Sequence, residues 1–76
     1  MSAPTRRSET QIDRLVFELG HRILHGEFAP GQRLTELGMV SVLGASRTPI
    51  RLALERLAYE GLLDARFSGG FRVRAF

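Results

Sequence analysis

A chain of 76 residues has room for one small domain, and its 43% apolar residues are consumed by a single core, which leaves no allowance for a deep substrate cavity. The absence of cysteine excludes a disulfide framework, a thiol nucleophile and a thiolate zinc site. The longest uncharged stretch, Leu37 to Ser46, falls well short of the roughly 20 residues that span a membrane, and the charged start of the chain is not a secretory signal.

The first periodic segment places Ile12, Leu15, Val16, Leu19 and Ile23 on one stripe of an α-helix. Ser8 with Gln11 reads as a capping box at its start, Thr10 is a rival cap, and Gly26 is placed to end it. Residues 1–9 are expected to be a flexible tail, leaving 10–76 as the domain. Pro30-Gly31 predicts a type II turn within 27–32, since proline presets one backbone angle and glycine accepts the positive φ that follows. Thr35 is a good N-cap for a short second helix over 36–43, with Leu37, Val40 and Leu43 expected inward. Gly44 and Ala45 break it, Ser46 caps a third helix over 47–60, and Pro49 falls in the first turn, where its missing N–H costs least. The third stripe is Ile50, Ala53, Leu54, Leu57 and Ala58, with Gly61 as its stop. Two helices separated by so short a break must cross steeply, as in a helix-turn-helix unit. Beyond Gly61 the period shortens toward 2, in Leu63, Ala65, Phe67 and then Phe71, Val73, Ala75. Ser68-Gly69-Gly70 between them signals a hairpin turn. The expected fold is therefore mainly α with a small β-hairpin, three helices plus a wing.

Charge is distributed unevenly along this plan. All 11 basic residues are arginine against 8 Asp plus Glu, giving +3. The charges of residues 1–43 cancel, so the excess lies in 44–76, where Arg47, Arg51, Arg56, Arg66, Arg72 and Arg74 face only Glu55, Glu60 and Asp64. On the third helix the apolar stripe turns Arg47, Thr48, Arg51, Leu52 and Glu55 outward near the leading end, where a recognition helix meets major-groove base edges. Arg47 and Arg51 share a face, and each can clasp a guanine edge or a phosphate. Ser46 and Thr48 can donate hydroxyls to phosphate. Arg66, Arg72 and Arg74 flank the glycine tip of the hairpin, as in a wing that approaches a DNA backbone. The bland alternatives are an Arg51–Glu55 pair on a solvated face and an arginine-rich edge that only discourages aggregation.

Three runs then carry a specific resemblance: Phe28-Ala29-Pro30-Gly31-Gln32-Arg33-Leu34, Leu43-Gly44-Ala45-Ser46-Arg47-Thr48-Pro49-Ile50-Arg51, and Ala53-Leu54-Glu55-Arg56-Leu57 with Glu60-Gly61-Leu62-Leu63. Together they resemble the winged helix-turn-helix DNA-binding domain of the GntR family, its FadR-like (FCD) branch in particular, over about residues 11–76. The resemblance implies a cytoplasmic bacterial transcriptional regulator, usually a repressor. Such proteins bind palindromic operators in double-stranded DNA as homodimers and release them when a C-terminal domain takes a small metabolite. It places Ser46, Arg47, Thr48, Pro49 and Arg51 in the recognition-helix motif and Gly69, Gly70 and Arg72 in the wing, with Arg33, Thr35 and Glu36 as weaker matches to a flanking backbone contact. Four positions depart from the family pattern: Ala45 where valine is usual, Met39 and Val40 where Leu-Ala is usual, and Leu52 where a glutamate usually follows Arg51. Losing that carboxylate makes the operator sequence the least transferable inference.

The effector domain, and with it ligand binding and most dimerisation, is expected to be absent from this chain, which is expected to be a fragment. No cofactor, small-molecule ligand or metal is expected for it. His21 and His25 lie four apart on the first helix but have no evident third ligand. No nucleophile with its base, carboxylate pair or metal constellation suggests catalysis, so the chain is not expected to be an enzyme. The rival function is a winged helix whose arginine face holds an acidic protein partner, for which exposed Leu52 is the supporting feature.

Overall fold

The structure is a computed structural model that describes the backbone of residues 7–10 and the whole of residues 11–65 and 70–75. The expectations for Arg66, Phe67, Ser68 and Gly69, and for residues 1–6 of the tail, lie outside the described residues. Helix α1 spans Arg7–Leu24, so Ser8 and Thr10 lie inside it and the expected cap is corrected. The apolar stripe fixes the phase of a helix but begins only at Ile12, and it carries no information on where the first turn starts. Leu15, Leu19 and Ile23 are buried, while Ile12 and Val16 are half-buried. The helix ends in paired bonds from Gly26 N to Ile23 O at 3.1 Å and Glu27 N to Arg22 O at 2.9 Å, the pattern of a Schellman motif.

The turn expected next is present. Gly31 has φ 83, Gln32 N donates to Ala29 O at 2.9 Å, and the Gln32 side-chain Oε1 accepts from Ala29 N at 2.8 Å. It leads into strand β1, Arg33–Leu34, which the sequence does not announce because two residues display no period. Helix α2, Glu36–Leu43, starts at Thr35, whose side chain accepts from Gly38 N, and ends at Gly44 with φ 69 and its N–H bonded to Val40 O. That left-handed angle is strained for any residue with a Cβ. Its inward side differs from expectation: Met39 is buried, Val40 and Leu43 pack on the core, and Leu37 is 65% exposed. Helix α3, Arg47–Tyr59, buries Pro49, Ile50, Ala53, Leu54 and Leu57 as its stripe requires, and closes with a second Schellman pair, Gly61 N to Ala58 O at 3.1 Å and Leu62 N to Leu57 O at 3.0 Å.

Strands β2, Leu63–Asp64, and β3, Phe71–Val73, complete an antiparallel sheet of order β1-β3-β2. Its register is Arg33↔Arg72 and Leu34↔Phe71 on one side, Leu63↔Val73 and Asp64↔Arg72 on the other. Side chains alternate across a strand, so Leu34, Leu63 and Val73 go to the core while Arg33, Arg72 and Asp64 form a row on the opposite face. The largest completely buried side chains are Leu19, Leu34, Ile50, Leu54, Leu57 and Leu63, drawn from α1, α3 and all but the middle strand. Each contributes roughly 1.5–3 kcal/mol by burial. The exposed ion pairs Arg22–Glu18, Arg22–Glu27 and Arg56–Asp13 contribute about 0.2–1 kcal/mol apiece, so apolar packing rather than charge holds the domain. Among the described residues no helix is long and apolar enough to cross a membrane.

Candidate nucleic-acid interface

The leading end of α3 is fixed by its own sequence. Ser46 takes the extended N-cap geometry without a side-chain capping bond, so its hydroxyl oxygen is not engaged in accepting from the helix. Pro49, grouped with the contact residues by its place in the motif, is buried; its part is to start the helix and seat it on the core, and it does not face outward. Ser46, Arg47, Thr48 and Arg51 are all exposed, as a buried side made of Ile50, Ala53, Leu54 and Leu57 demands.

Helix α2 adds a second row of groups. Glu36, in its first turn, reaches Arg47 across the helix pair, with Arg47 Nη2 3.5 Å from Glu36 Oε1 and side-chain exposures of 66% for the arginine and 28% for the glutamate. Glu36, Arg47, Thr48 and Arg51 line one shallow concavity. An adjoining one is lined by Thr35, Glu36, Leu37, Arg47, Gly70 and Phe71, so the sheet borders the same surface. Thr35 meets this surface while its oxygen accepts the capping bond from Gly38 N at 3.0 Å. The bland partner of Arg51 is not realised, because among the described residues no ion pair joins it to Glu55.

On the sheet, Arg33 and Arg72 are exposed cross-strand neighbours, and Arg72 Nη1 donates to Gly31 O at 3.0 Å, tying the wing strand to the turn before β1. Gly70 has a cause within the protein itself. A Cβ there would lie 2.9 Å from Arg33 Nε and 3.2 Å from Leu34 O, so the arginine would have to shift and the strand carbonyl to give by a few tenths of an ångström. Gly69 lies outside the described residues. Sequence reasoning missed Leu37 as a lining residue by sending it inward, and it gave no sign of the Glu36–Arg47 contact, whose partners belong to different helices. The His21 and His25 rings stack with centroids 4.0 Å apart, and His25 Nδ1 lies 2.9 Å from His21 O. Among the described residues no three His, Cys, Asp or Glu side chains gather where they could hold a metal ion.

Among the described residues, three helices in this order, with α2 and α3 packed together across a short break, and an antiparallel sheet bordering the exposed end of α3 define a winged helix-turn-helix domain. Comparison with known proteins narrows the class. Residues 11–73 match the family described as bacterial regulatory proteins, gntR family, and the chain belongs to it, as a DNA-binding domain of a transcriptional regulator. It is 39% identical over 56 residues to the uncharacterized HTH-type transcriptional regulator YdhC of Bacillus subtilis (strain 168), covering 74% of this chain and 25% of YdhC. It is 45% identical over 47 residues to the Nta operon transcriptional regulator of Aminobacter aminovorans, covering 62% of this chain and 22% of that protein. The matched segments therefore span about a quarter of the length of these relatives, which are regulators and not enzymes. The fold is shared with a solved structure described by the statement that Lar controls the expression of the Listeria monocytogenes agr system and mediates virulence. The TM-score is 0.69 at 22% identity, covering 97% of this chain and 33% of that one.

Proposed function

We propose that this domain reads operator sequence through the leading end of α3, with Arg47, Thr48 and Arg51 directed at base edges and adjacent phosphates. Ser46, Thr35, Arg33 and Arg72 add contacts to the sugar-phosphate backbone. The observation that carries this reading is the single concave surface on which exposed Arg47, Thr48 and Arg51 meet, bordered by the wing strand and the start of α2. Phosphate contacts supply affinity and position, while the base-edge contacts supply choice of sequence. Pro49 and Gly70 serve this surface by shaping the backbone.

The parent protein is proposed to be a cytoplasmic repressor of the FadR-like (FCD) branch, which binds a palindromic operator as a homodimer formed through a C-terminal effector domain. Support comes from the run Leu43-Gly44-Ala45-Ser46-Arg47-Thr48-Pro49-Ile50-Arg51 and from relatives about three times as long as the chain. The domain is proposed to occupy residues 10–76, with residues 1–9 before it and α1 already begun at Arg7. The test is titration of the chain with duplexes recovered from a random pool, repeated over a range of salt. Specific sites should emerge, and log K should fall linearly with log salt by about 0.9 for each phosphate neutralised. Recovery of no preferred sequence, with affinity indifferent to salt, would reject DNA reading and favour an acidic protein partner.

A further inference from the structure

Glu36 is an anomaly on this surface. It is a carboxylate set among arginines on a face proposed to meet a polyanion, and its negative charge is repelled by phosphate wherever the domain docks. Its place in the first turn of α2 has an ordinary structural use, since a carboxylate there complements the helix dipole. That use does not require it to reach Arg47, yet Oε1 lies 3.5 Å from Arg47 Nη2, and the glutamate is the more enclosed of the two. Both ends of the contact are firmly mounted. Thr35 caps α2 directly before Glu36, and α3 begins at Arg47 itself, on a helix whose stripe lies in the core. Arg51, on the same concavity, has no ion pair among the described residues.

Resting on the DNA-reading function, we propose that Glu36 is a positioning residue that sets selectivity: it holds the Arg47 guanidinium in one direction and withholds it from indiscriminate phosphate binding. An untethered arginine is a mobile point of attraction for any phosphate within reach, and binding of that kind is blind to sequence. A carboxylate alongside offers a standing alternative partner. Arg47 leaves it, or shares its donors with it, only for an acceptor in the right direction, such as the paired O6 and N7 of a guanine edge, which the planar fork fits with two parallel bonds. A phosphate can be clasped as firmly as a guanine edge, but one lying off that direction is reached only by breaking the contact with Glu36. The carboxylate thus lowers affinity for all DNA and lowers it most for the wrong DNA.

The experiment compares the wild-type chain with Glu36→Gln, each also carrying Arg47→Ala, on two probes: the duplex selected by the wild-type chain from a random pool, and a scrambled duplex of the same composition. Glu36→Gln should bind the scrambled duplex roughly 3- to 10-fold more tightly, with a log–log salt slope on it steeper by about 0.9, one further phosphate engaged. Its preference for the selected duplex should shrink correspondingly. In the Arg47→Ala background the same change should have no such effect, because the carboxylate acts through that arginine. A gain on the scrambled duplex that persists without Arg47 overturns the proposal in favour of simple charge repulsion, and so does an unchanged preference in Glu36→Gln. Loss of folding cannot mimic the expected result, since it weakens binding. A wild-type chain that recovers no preferred duplex fails the functional reading itself, an outcome distinct from either of these.

Discussion

Arg47 and Arg51 occupy the same concavity under different constraints, one against a carboxylate and the other without an ion pair among the described residues. Replacing either by alanine is expected to cost about 1–3 kcal/mol on a selected site if it reads a base, with specificity relaxed at the matching position. Duplex titration with single-base variants measures both effects, and unchanged affinity in both mutants would reject the assignment. Gly70 makes a different demand. Gly70→Ala would set a methyl group 3.2 Å from the Leu34 carbonyl oxygen and 2.9 Å from Arg33 Nε. Arginine can swing aside, but the strand backbone yields only by moving β1, so we expect a loss of roughly 1–3 kcal/mol in stability. Thermal unfolding of the variant measures it, and an unchanged midpoint would show that β1 gives way freely.

At the scale of elements, the helix starts and stops around the α2–α3 unit were legible because their signals are chemical. Thr35 supplies an acceptor, Gly44 permits the left-handed angle, and Pro49 tolerates only a first turn. Removing one such signal should be measurable: Thr35→Ala deletes the bond from Gly38 N and should lower stability by about 1 kcal/mol, seen as a reduced midpoint in urea. What the sequence left obscure has physical reasons too. Helix α2 carries Leu37, Met39, Val40, Val42 and Leu43, apolar on nearly every side, so periodicity cannot choose its inward face. Packing against α3 makes that choice, burying Met39 and leaving Leu37 at the rim of the interface. Strand β1 exists only because β3 pairs with it. The arginines of the candidate site were readable because α3 has a clear stripe, whereas the Glu36–Arg47 contact depends on how two helices cross.

For the molecule as a whole, a natural domain of 76 residues is stable by only about 4–11 kcal/mol at the usual 0.05–0.15 per residue. Leu19, with no exposed surface, lies on α1, the helix that packs most extensively against α3. Leu19→Ala should therefore cost about 2–5 kcal/mol, a large share of the total. Asp13→Ala, which releases the exposed partner of Arg56, should cost under about 1 kcal/mol. Denaturation of the two variants side by side tests the ranking, and equal losses would contradict a fold held by apolar burial. The strand order has a consequence of its own. The middle strand is the last in sequence, so on a ribosome both flanking strands emerge before the one that joins them. The helices can gather early, but the rim beside Arg47 is assembled only when Phe71–Val73 has left the exit tunnel. A nascent chain arrested just short of that point would carry α3 without the strand that completes the sheet beside it.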